Sequence, residues 1–192
     1  MPTSGGSNTT AMDVRDLSNS GTRLEPLEAA DFDAIRPWVD PSLFRVFHEP
    51  VDDAQLDRLL TKYEEGRPVS LGYRILRASD SQMVGFAHVV IDWKNDLAHI
   101  QQIVVGDPEV RGRGLGTASL LQLLGICFDE TGLHRVQIFV DEDNAAAIAC
   151  YEKAGFRIEG LIREATKTAD GYVSWYSMSI LDWEWEGRRG RT

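Results

Sequence analysis

The run VVGDPEVRGRGLGTASLLQLLG, from Val104 to Gly125, sets Gly112, Gly114 and Gly116 around Arg111 and Arg113, just ahead of a leucine-rich stretch. Glycines there let the backbone approach a ligand with no Cβ in the way. A helix that starts at Leu115 leaves its first N–H groups unpaired and carries partial positive charge at that end. Together these features make an anion cradle suited to phosphate oxygens, to which Arg111 and Arg113 add charge. Two common phosphate patterns fit poorly. The loop has no lysine for G-x-x-x-x-G-K-[ST], and Thr117 stands where G-x-G-x-x-G needs its last glycine. On the loop alone, a plain surface turn with an arginine-rich helix entry stays open.

Further along, NAAAIACYEKAGF starts at Asn144. With Asn144 as the cap, Ala147, Ile148 and Tyr151 lie near one helical face. A phenol such as Tyr151, with an ordinary pKa of about 10, keeps its proton at neutral pH and can give it to a strongly basic partner. His99, in LAHIQQIVV, offers an imidazole suited to taking a proton, or is simply a half-exposed strand residue. Glu109 points to solvent, His134 satisfies a turn, and His88, Asp92 and His48 are further polar candidates for a binding wall.

The elements that position these residues follow from hydrophobic period. TRLEPL is a short strand, and EAADFDAIRPWV is a helix that Pro37 ends or kinks. DDAQLDRLLTKYEEG reads as a helix capped by Asp52 or Asp53, with Leu56, Leu59, Leu60 and Tyr63 as its stripe and Gly66 as its stop. The period then becomes two: VSLGYRILRA and QMVGFAHVVIDW form an antiparallel hairpin, and LAHIQQIVV is the next strand. A helix from Leu115 to about Glu130, the strand HRVQIFVD and the helix after Asn144 follow. A strand pair, FRIEGLIREA and GYVSWYSMSILDWEW, joins around ADG and closes the chain. Residues 1–21 read as a flexible tail, 22–186 as one domain and 187–192 as a polar tail.

Composition narrows the function. The chain has 192 residues, 43% of them hydrophobic, and a formal net charge of −10. That charge argues against nucleic acid and anionic membrane as partners and favours cationic ligands such as amines. No apolar run reaches the roughly 20 residues of a membrane span. Cys127 and Cys150 have no zinc-type spacing, so no metal is expected. They read as buried thiols of a reduced, cytoplasmic protein.

The order strand, R-x-x-G-x-G, helix, strand, N-x-x-A-x-x-x-Y-E-K-x-G-F resembles the GNAT superfamily of acyl-CoA-dependent N-acetyltransferases. The resemblance runs from Thr22 to Trp185 and is sharpest between Ile100 and Phe156. The closing GLIREATKTADGYVSWYSMSILDWEW is similar to the branch that holds ribosomal-protein alanine and spermidine acetyltransferases. Ser174 stands where many of its members have Asp.

The resemblance implies an α/β (α+β) GNAT fold: a mixed, mostly antiparallel twisted sheet of about seven strands, helices on both faces, and a bulged, splayed strand at 97–105. It implies acetyl-CoA as acyl donor, with its pantetheine arm along the backbone of Ile103, Val104 and Val105. The diphosphate then meets the amides of Arg111, Gly112, Arg113, Gly114, Leu115, Gly116 and Thr117. Asn144 and Ala147 line the pantetheine, Tyr151 protonates the departing thiolate, and His99 takes the base position where several relatives carry Glu. The implied partner is a small-molecule amine, with a homodimer expected. A protein N-terminus as acceptor and a non-catalytic acyl-CoA-binding module are the alternatives.

Overall fold

The computed structural model describes residues 21–39, 52–110, 112–168 and 171–189. The expected N-terminal tail up to residue 20, His48, Arg111, Ala169 and Asp170 of the closing turn, and residues 190–192 lie outside these.

Apolar alternation builds one mixed sheet. Its strands are β1 (Thr22–Pro26), β2 (Lys62–Glu64), β3 (Arg67–Arg77), β4 (Met83–Asp92), β5 (Leu97–Val105), β6 (Arg135–Asp141), β7 (Arg157–Thr168) and β8 (Gly171–Leu181). Their order is β1-β3-β4-β5-β6-β8-β7, with β2 added on β3. Every pairing is antiparallel except β5 with β6. The helices are α1 (Phe32–Ile35), α2 (Asp53–Asp57), α3 (Leu115–Gly125), α4 (Ala145–Ala154) and α5 (Asp182–Arg189). Tight turns flank α1 on both sides, the second holding Pro37, and α3 runs on into a wider helical turn over Ile126–Glu130.

Helices cover both faces. On one, Leu120, Leu124, Tyr151, Phe156 and Trp185 pack on Ala98, Ile100, Val136 and Ile138. On the other, Ile35, Leu56 and Leu59 pack on Phe86 and Val104.

Two elements differ from the sequence expectation. The helix expected over 52–65 stops at Asp57, because the following chain lies directly on β3. A Cβ on Gly72 would stand 1.8 Å from the Leu59 carbonyl oxygen, and the Gly72 N–H donates to Thr61 Oγ1 at 3.1 Å. Lys62–Glu64 therefore pairs with β3 as an eighth strand, turning back through Glu65 and Gly66 at positive φ. Tyr63 leaves the expected stripe and is 66% exposed, whereas Leu56 and Leu59 are buried as expected.

The last strand, expected to run through Trp185, ends at Leu181. Asp182 and Glu184 begin α5, and Arg188 and Arg189 end it, which suits the helix dipole. Trp185 is buried, stacks on Phe128 at 5.9 Å, and donates from Nε1 to Asp129 at 3.1 Å.

Candidate active site

The site is set by two irregularities in β5. Val89 of β4 pairs with Ile100, but His88 pairs with Gln102, which leaves Gln101 as an extra, bulged residue. Parallel pairing with β6 runs from Leu97 with Arg135 to Ile100 with Ile138 and goes no further, although both strands continue. The strands part there and open a cleft. The Val104 carbonyl oxygen is turned to β4, only 2.0 Å from where a Cβ on Gly85 would sit. Strand alternation turns the peptide groups of Ile103 and Val105 the other way, toward β6.

The glycine loop stands at the end of β5. Gly112 and Gly114 have φ of +74° and +82°, values that favour glycine. A Cβ on either would meet nothing within 4 Å, so conformation rather than crowding inside the protein requires glycine there. The first helical bond of α3 runs from the Ala118 N–H to the Gly114 oxygen at 3.0 Å. The N–H groups of Leu115, Gly116 and Thr117 thus precede the ladder and remain available as donors at the positive end of the helix. Arg113 is exposed beside them.

Helix α4 flanks this first turn. Thr117 Oγ1 and Cys150 Sγ are 3.2 Å apart, and burial raises the Cys150 thiol pKa. The Asn144 side chain accepts from the Ala147 N–H at 3.1 Å, which fixes the start of α4, and Gly155 ends it at φ +108°. Ala147 is half-buried against the core. Tyr151 is buried beside Phe156, ring centres 6.0 Å apart. Burial, reinforced by the neighbouring Cys150, raises the phenol well above its ordinary value, so it holds its proton.

His99 lies on the face of β5 away from α3, half-buried. Its Nδ1 is 3.0 Å from the Gln101 amide nitrogen, and its ring meets Phe139 edge-on at 4.9 Å. Burial lowers its pKa and keeps the imidazole neutral. Behind the bulge sits a buried chain: Ser70 Oγ to His88 Nε2 at 2.9 Å, and His88 Nδ1 to Gln102 Oε1 at 3.1 Å. Sequence reasoning finds His88 but neither of its partners, because the chain joins three strands. His134 instead pairs with Asp182 at 3.1 Å, Asp92 caps its own turn through Lys94 and Asn95, and Glu109 is exposed. No group of three metal-ligating side chains occurs among the described residues, and no helix there is long and apolar enough to cross a membrane.

The pattern of the Acetyltransferase (GNAT) family matches residues 32–156, well over half of the chain. The chain belongs to this family. Among curated proteins it is 28% identical over 159 residues to the L-amino acid N-acetyltransferase AaaT of Escherichia coli K12, covering 79% of this chain and 93% of that one. Identity to the spermidine N(1)-acetyltransferase of the same organism is 27% over 145 residues, covering 74% and 76%. Identity to the mycothiol acetyltransferase of Salinispora tropica is 42% over 77 residues. That match covers 39% of this chain and only 25% of that longer protein. The fold is similar to that of the Vibrio cholerae spermidine N-acetyltransferase solved in complex with CoA and spermine. The TM-score is 0.76 at 23% identity, covering 88% of this chain and 99% of that one.

Proposed function

We propose that this GNAT protein is an acetyl-CoA-dependent N-acetyltransferase that modifies the primary amine of a small molecule. The observation that carries the reading is the parting of β5 from β6 beyond Ile100 and Ile138, leading from the free amides of α3 to the helix that holds Tyr151. The residues fit the acyl carrier. Gly112 and Gly114 provide left-handed backbone with open space above it, and three α3 amides await an anion. In this reading the amides of Gly112–Thr117 and the neighbouring Arg111 and Arg113 hold the diphosphate. The peptide groups of Ile103 and Val105 flank the pantetheine arm from one side, with Val104 anchoring the strand. Asn144, its carbonyl already used as the cap, offers its amide N–H from the other side, with Ala147 beneath.

Acetyl-CoA brings an acyl thioester. The net reaction converts that thioester and an ammonium into an amide, a free thiol and one released proton. An alkyl amine of pKa about 10 arrives protonated, so the site must take a proton before nitrogen can attack. His99, kept neutral by burial, accepts it directly or through water. Tyr151, kept protonated by burial, hydrogen-bonds the leaving sulfur and lends it a proton as the C–S bond breaks. No side chain forms a covalent bond to the acyl group.

The names of the amino-acid and spermidine enzymes support a small acceptor. Free Cys127 and Cys150 support a cytoplasmic location. The outer strand β7 exposes Ile158, Leu161 and Ile162, which supports a homodimer through that edge. The test is thiol release from acetyl-CoA over a panel of amines, with CoA affinity measured by calorimetry. Cofactor binding without turnover of amines, aminoglycosides or N-terminal peptides would leave only a binding module.

A further inference from the structure

The bulge in β5 traces to the order of its side chains. Ile100 and Ile103 both pack on the α3 side of the sheet, three residues apart, whereas an unbulged strand would turn them to opposite faces. The two residues between them are Gln101 and Gln102, and the pairing of β4 with β5 skips Gln101. Val104, two positions after Gln102, packs instead on the α1 and α2 side with Phe86, Ile35 and Leu56. Gln102 therefore stands on that side, half-buried, opposite His88.

An unbulged register is the alternative that the apolar pattern alone allows. Shifted by one residue, Val104 would trade faces with Ile103 and Val105, and all three are apolar, so none of them resists the shift. Gln101 would then stand opposite His88, and Gln102 opposite Ala87, in the apolar layer that holds Ile100 and Leu120. An amide buried there leaves water without gaining a partner, which is costly. In the bulged register the same amide meets His88. The ring's Nδ1 lies 3.1 Å from Gln102 Oε1, and its Nε2 lies 2.9 Å from Ser70 Oγ. With the amide oxygen accepting from Nδ1–H, Nε2 accepts from the Ser70 hydroxyl, and both nitrogens of a neutral ring are used. The bulge also leaves Gln101 beside His99, its amide nitrogen 3.0 Å from Nδ1. Pairing of β5 with β6 ends at Ile100, the residue just before the bulge.

We infer that Gln102 is a positioning residue, held by His88, which selects the bulged register of β5 and so keeps the cleft between β5 and β6 open to the acyl carrier. This rests on the acetyltransferase reading of that cleft and adds to it the side chain that sets its shape. Gln102 acts through the strand and touches no substrate. In the unbulged register the peptide groups of Ile103 and Val105 would turn to β4, and the pantetheine arm would lose both.

The test uses the full chain, with CoA affinity from calorimetry, urea melts, and a crystal structure of Gln102→Leu. In that variant the buried amide no longer opposes the shift. Its Kd for CoA should rise about tenfold while its urea midpoint stays at or above that of the wild type. The crystal structure should place Gln101 opposite His88. His88→Gln, which reaches Ser70 but not Gln102, should raise the Kd about fivefold. His88→Asn, whose amide stands at the Nδ1 position, should stay within about twofold. Adding His88→Gln to Gln102→Leu should raise it no further. Wild-type CoA affinity in Gln102→Leu overturns the inference. So does weakened affinity with the bulge still at Gln101, or a His88→Asn variant no better than His88→Gln. If Gln102→Leu does not fold, the two histidine variants decide by their CoA affinities. A wild type that binds no CoA refutes the acetyltransferase reading instead. The crystal structure of Gln102→Leu then decides by itself: a bulge still at Gln101 overturns the inference, and an unbulged β5 upholds it.

Discussion

Replacing Gly114 with alanine isolates the contribution of backbone conformation to the loop. The residue sits at φ +82° as the cap of α3, and a Cβ there would touch nothing. Steric conflict with neighbouring residues therefore adds no cost. What remains is the penalty of a left-handed alanine, about 1–2 kcal/mol. On the proposed reading the bound state needs this conformation, because it aims the first amides of α3 at the diphosphate. If the free loop relaxes to escape the strain, the whole penalty appears in CoA affinity, as a roughly five- to thirtyfold rise in Kd. If it cannot relax, the same energy appears as lost stability. Calorimetry with CoA and urea melts on the same variant measure both terms, whose sum should be about 1–2 kcal/mol. Gly114→Asn should recover much of the loss, because asparagine tolerates this region. An alanine variant with wild-type affinity and wild-type stability would refute the reasoning, since the left-handed turn would then be irrelevant to both folding and binding.

Tyr151→Phe should lower kcat about a hundredfold and leave CoA affinity unchanged, because only the phenolic O–H is lost; full activity would make Tyr151 purely structural. Because burial lowers the His99 pKa from 6.5, kcat/KM should fall only as pH drops through that lower value, and His99→Gln should abolish this acid limb while lowering the plateau. A pH–rate profile with the same limb in the variant removes His99 as base. His88 is also held below 6.5, first by burial, so the unfolded chain binds its proton at higher pH than the folded one. Its contribution is full above 6.5 and is lost as pH falls through the folded value; urea midpoints between about pH 7.5 and about pH 5 should fall less for His88→Gln than for wild type.

The glycine turn and the helix that follows it were legible because their signals are local. Glycines just ahead of a leucine-rich helix, and Asn144 and Gly155 at the two ends of another, act within a few residues of themselves. The strand at 97–105 was legible by its period, and its bulge and splay by resemblance. The misread segments depend on distant contacts. Leu56, Leu59 and Leu60 have helical spacing, yet the chain at Leu59 is claimed by Gly72 of β3, and no local pattern reports that approach. Trp183 and Trp185 alternate like strand residues, but one is 56% exposed and the other buried on a helix. Alternation along β8 separates Trp175 from Tyr176, but only the register of β6 with β8 brings Trp175 onto Phe139. The joining of Ser70, His88 and Gln102 likewise depends on two strand registers at once.

A crystal structure of the protein with CoA tests the central claim most directly. The account predicts diphosphate oxygens within hydrogen-bonding distance of the amides from Gly112 to Thr117, and the sulfur beside the Tyr151 hydroxyl in the gap between β5 and β6. A diphosphate bound away from α3, or a sulfur on the far side of the sheet from Tyr151, would contradict it.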